Sequence, residues 1–125
     1  MNYRGIIIKE SLTKPEVLGL VEILSQHAVD EGSADVWNMC KVQVAEEEIE
    51  DFTEKISKVL DPKISWYCHF YNEDPNDPMI YVVFFEKVFF VEKDDPHEAV
   101  EYGLSLGIAY EQLDFRPQAI ADEQW

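Results

Sequence analysis

Apolar residues along this chain come in short runs separated by acidic and turn-forming clusters, and most runs have a readable period. Residues 3–10 centre on Ile6-Ile7-Ile8. β-Branched side chains favour extended backbone, and the unbroken run predicts a central strand covered on both faces. Thr13-Lys14-Pro15-Glu16 then opens a helix. The threonine can cap, proline suits the first helical position, and the glutamate completes a capping box. Residues 17–29 support two readings. Val17, Leu20, Val21, Leu24 and Ala28 form a helical stripe, whereas Val21, Ile23, Ser25, His27 and Val29 alternate as a strand. After the polar DEGSAD stretch, VWNMCKVQV would pair with that strand as a hairpin. A short helix followed by a strand is the favoured reading, with one helix over 15–29 left open.

Residues 45–60 give the clearest element. Ile49, Phe52, Ile56 and Val59 mark one helical face, with Glu46, Glu47 and Glu48 at the start and Lys55 and Lys58 toward the end, as the helix dipole favours. Asp61-Pro62 stops it. Residues 64–71 (ISWYCHFY) read as an aromatic strand, followed by the turn-rich NEDPNDP. Residues 79–85 and 88–91 predict a hairpin about Glu86-Lys87, a pair that two-residue turns do not favour. Asp95-Pro96-His97-Glu98 opens a last helix that Gly107 caps, residues 113–115 add a short extended piece, and the chain from Pro117 reads as a loose tail. The sum is one α+β domain over residues 1–116: a mainly antiparallel sheet with helices packed on it, ferredoxin-like (βαββαβ) and followed by a β-hairpin and a C-terminal helix. The first crossover, residues 11–20, is at the short limit for a right-handed parallel connection.

Charge changes what such a domain can bind. Ten basic against 26 acidic residues leave a net −16. That field repels phosphate backbones and anionic lipid, which argues against nucleic acid and membranes, and it favours a basic protein partner or serves solubility. Two cysteines form no disulfide framework, the N-terminus lacks a signal-peptide core, and no stretch reaches spanning length; a cytoplasmic location follows as the expectation.

Candidate chemistry is sparse. Cys40, Cys68, His27, His69 and His97 lack the C-x₂₋₄-C or H-x₃₋₅-H spacing of a zinc site. Cys68 and His69 are adjacent, so on a strand they point to opposite faces and make neither a metal pair nor a nucleophile with its base. Glu46–Glu48, Asp74, Asp77, Asp94 and Asp95 are explained by helix ends and turns, and NEDPNDP lacks the glycine and ligand rhythm of a calcium loop. No catalytic residue, metal or cofactor is therefore assigned. The candidate binding surface is the strand face of Tyr67, His69 and Tyr71, whose rings carry polar tips, joined by Tyr81 and Arg4 if the fold brings them alongside.

YRGIIIKES at the start, ISKVLDP with WY shortly after, and the closing YGLSLGI…QLDF resemble a set of small prokaryotic proteins of this length that have no assigned function. The resemblance spans nearly the whole chain and implies one prokaryotic domain without a known activity. Three functions are thus in view: a binding protein for a basic or amphipathic partner, a small-molecule site or enzyme on the aromatic face, and a homodimeric structural subunit. The last is suggested by the very apolar YVVFFEKVFFVEK.

Overall fold

The computed structural model describes residues 2–30, 36–63, 67–74 and 76–108, together with Tyr110 and Leu113. Among these residues, three strands precede one α-helix and three more precede a second. They are β1 (Tyr3–Ile8), β2 (Glu22–Asp30), β3 (Val36–Val44), α1 (Ile49–Ser57), β4 (Cys68–Asn72), β5 (Met79–Phe84), β6 (Lys87–Glu92) and α2 (His97–Ser105). Two 3-10 turns, Lys9–Ser11 and Pro15–Leu20, lie between β1 and β2. The strands form one sheet in the order β2-β3-β1-β4-β5-β6, and every pairing in it is antiparallel.

The protein is therefore α+β with an antiparallel sheet, but its strand order is not ferredoxin-like. That arrangement needs parallel neighbours, and here β1 lies between β3 and β4, antiparallel to both. The cause is the short first connection. Pro15–Leu20 makes only a six-residue 3-10 turn, too little chain to carry a strand back in parallel register. The chain instead reverses at once into the β2–β3 hairpin. Residues 15–30 accordingly resolve into a short helical turn and a strand.

The helix ends differ from their expected caps. Lys14 precedes the Pro15–Leu20 turn without a side-chain cap, and the Thr13 hydroxyl donates instead to the Val59 carbonyl at 3.0 Å. Pro96, not Asp95, sits at the N-cap of α2, again without a side-chain bond. Gly107 does close α2, at φ +87, a conformation in which a Cβ is strained. The β5–β6 turn is shifted by one residue: Phe84 opposes Lys87, leaving Phe85-Glu86 as the corner. Residues 64–66, Phe115 and the chain from Pro117 lie outside the described residues, and with them the start of the expected aromatic strand, the end of the 113–115 piece and the tail.

A helix covers part of each face of the sheet. Tyr3, Ile7, Val42, Val44, Phe70 and Val83 face α1, where Phe52 meets the Phe70 ring edge-on at 5.8 Å. Ile80, Val82, Phe84 and Tyr71 face α2 through Ala99, with Ile108 and Leu113 closing the cluster. Each such side chain taken fully from water contributes about 1.5–3 kcal/mol, so these two layers hold the fold. β1 alternates buried and half-buried residues, its covered row being Tyr3, Gly5 and Ile7.

Candidate functional site

The alternation of β4 places the predicted aromatic residues in two groups. Tyr67, His69 and Tyr71 share one face: Tyr67 and His69 stack at 6.3 Å between centroids and 29° between planes, and His69 and Tyr71 follow at 6.4 Å and 36°. Arg4 opposes Tyr71 in the β1–β4 register and so shares that face, where its Nε lies 3.5 Å from Glu73 Oε1. Tyr81 opposes Phe70 and lies on the other face, edge-on to Tyr3 at 5.6 Å and 4.6 Å from Phe90. Tyr71 is buried in the α2 cluster, and Tyr67 packs on Phe84 at 5.8 Å. The structure thus brings four of the five candidates onto one face and uses at least two of them in packing.

The remaining polar clusters resolve into local structure. Cys40 and Cys68 are free and buried, and burial pushes the Cys68 thiol far above its usual range, which removes the thiolate a nucleophile needs. His97 pairs with Glu101 at 3.0 Å on the outside of α2. In NEDPNDP the acids turn the chain. Asn72 Oδ1 accepts from the Asp74 amide at 2.8 Å, Asp74 Oδ1 from the Asn76 amide at 2.9 Å, and Asp77 Oδ1 from the Met79 amide at 2.9 Å. Among the described residues no group of three or more His, Cys, Asp or Glu could hold a metal. No described helix is long and apolar enough to cross a membrane.

A concave surface occurs elsewhere, where the Pro15–Leu20 turn meets the β2–β3 ends and the start of α1. A depression of about 360 Å³ is lined by Leu20, Val21, Glu22, Val44 and Glu48 among others. A second of about 180 Å³ adjoins it through the same Leu20 and Glu48 and continues over Phe52 to Asp51 and Lys55. Together they form one open groove. Its apolar wall is exposed at Leu20, which is 54 % accessible, and the chain leads from there into Ile23 and Leu24 of β2, each 37 % accessible. Its rim is acidic. Glu22, Glu48 and Asp51 stand against a single cation, Lys55, which Asp51 already engages at 2.8 Å. Glu22 is held by Gln43 Nε2, which donates to its Oε2 at 3.1 Å.

Sequence pattern assigned several of these residues to helix stripes and helix ends and none of them to a binding site. Leu20 belongs to the apolar stripe of residues 17–28, which points to a core position. In the structure Val17 and Leu18 take the core, and Leu20, at the end of the turn, faces out. The available signal was the surplus of apolar residues in LGLVEIL over what one short turn can bury. Comparison with family models, curated proteins and solved structures finds no match to this chain.

Proposed function

We propose that this protein is a non-catalytic interaction module that takes a basic, amphipathic segment of a partner protein in the groove beside Leu20. One observation carries the reading: the exposed Leu20 shares its groove with the carboxylates of Glu22, Glu48 and Asp51, and the chain continues from it into the exposed Ile23 and Leu24 of β2. Single exposed leucines are ordinary, but an exposed apolar side chain in a groove rimmed by one sign of charge is a form that contact surfaces take. The net charge of −16 extends the same field over the whole molecule and would speed the approach of a cation-bearing partner.

The aromatic face gives weaker support for a ligand site, because Tyr71 and Tyr67 are engaged with the α2 layer. A homodimer draws its support from Phe90, 52 % exposed on the edge strand β6. The proposal is tested with a short peptide alternating lysine and valine, titrated at low salt into the protein and two charge variants. Glu48→Lys should weaken binding at least about tenfold, through loss of a rim carboxylate and repulsion at the groove. Glu98→Lys, exposed on α2 and equal in net charge, should change it by less than about twofold. Equal weakening by both would reduce the effect to net charge and sink the proposed site.

A further inference from the structure

The groove ends at Glu22, where β2 begins, and the outer side of β2 carries no strand among the described residues. We infer that a partner's extended, lysine- or arginine-bearing segment adds along β2 as a further antiparallel strand, with its end seated in the groove; the inference rests on the reading of the groove given above.

The two edges of the sheet are built differently. β6 has six residues, begins at Lys87, is followed by Lys93, and is packed on one face by α2. Short length, lysines and a covering helix are the means by which natural sheets discourage pairing at an edge. β2 has nine residues and contains neither lysine nor proline. Its irregularity is a bulge between Ile23 and Ser25, at the groove end. Beyond the bulge, Ser25 to Asp30 pair with Lys41 to Val36 in unbroken register, so the outer N–H and C=O groups of that stretch form a regular ladder. A strand laid there would gain main-chain hydrogen bonds, with alternate side chains reaching the exposed Ile23 and Leu24 or the carboxylates of Glu22 and Glu48. Charge selects the occupant. A second copy would bring another −16 molecule and place Glu22-bearing strands side by side, whereas a cationic segment meets a complementary rim.

The experiment compares the lysine–valine peptide with the same peptide N-methylated at alternate residues, methylating first one set of positions and then the other. The methyl groups remove main-chain donors and leave charge and side chains unchanged. Binding is read by fluorescence anisotropy, and amide hydrogen exchange of β2 is followed in the free and bound protein. Strand addition predicts that one of the two methylated peptides binds at least about tenfold more weakly and that the β2 amides slow on binding the parent peptide. Equal binding of all three peptides, with β2 exchange unchanged, overturns strand addition while leaving the groove as the docking site. No binding by any of them removes the groove reading as well. A free protein that is already dimeric, with protected β2 amides, shows that a second copy occupies the edge and overturns the inference.

Discussion

Gly5 shows how closely β1 and β4 approach. A Cβ at this position would stand 2.5 Å from the His69 carbonyl oxygen and 2.5 Å from the Phe70 ring, and backbone cannot yield as a flexible side chain can. Gly5→Ala should therefore lower stability by about 1–3 kcal/mol, read as an earlier midpoint in urea. Gly19→Ala is the contrasting change: a Cβ there meets nothing within 4 Å, and the midpoint should hardly move. The phenols of Tyr3 and Tyr81 make a second residue-scale prediction. Burial raises both above the ordinary 10.0, and the Asn72 hydrogen bond to Tyr3 only partly offsets this. The unfolded chain then loses these protons first. Their contribution to stability is intact below about pH 10 and is lost as pH rises through the native values. Absorbance titration should show phenols ionising later in the folded protein than in urea, and Tyr81→Phe should lessen the alkaline loss of stability. Simultaneous ionisation in both states would contradict the burial assigned to them. The thiols follow the same logic: Cys40 and Cys68 should resist a thiol reagent until the protein is unfolded.

At the scale of elements, what could be read from sequence depended on whether one period dominated. The existence of α1 was legible because Ile49, Phe52 and Ile56 fit a helix and no alternation competes, and all three are buried. Its bounds were not, since it runs over Ile49–Ser57 instead of 45–60, with Glu46–Glu48 in the turn before it. Ile56→Ala should cost about 2–5 kcal/mol, measurable by chemical denaturation. The strand half of residues 17–30 was legible only in part, since both periods fit the same residues. Strand order was misread although its signal was present: the short connection over residues 11–20 already strained a parallel crossover, and the six-residue Pro15–Leu20 turn rules it out in favour of an antiparallel hairpin. The β5–β6 hairpin was visible but misregistered. Its corner places Glu86 at φ +56, where a non-glycine residue is strained, and the Glu86 amide is tied to the Ser57 carbonyl at 2.9 Å. Glu86→Gly keeps that bond and relieves the strain, so it should raise stability by about 1 kcal/mol. An unchanged or earlier midpoint would show that the corner is not strained.

At the scale of the whole molecule, charge and apolar exposure have to be taken together. The surplus of carboxylates was plain in the composition, but composition cannot say where a field of one sign meets uncovered apolar surface. That meeting point, beside Leu20, depends on which residues of one stripe the Pro15–Leu20 turn leaves outside, and on the β2–β3 ends being brought to the start of α1. The aromatic row of β4 was legible from alternation alone, yet its partial burial depends on α2 packing over β5 and β6. Complementary charge predicts that a basic segment binds at the Leu20 groove. The most direct test is a nuclear magnetic resonance titration of the protein with the lysine–valine peptide at low and high salt. Binding at the groove predicts amide shifts concentrated in residues 19–24, 43–48 and 51–55 at low salt, receding as salt screens the rim. Shifts spread evenly over the acidic surface, or none at all, would contradict it.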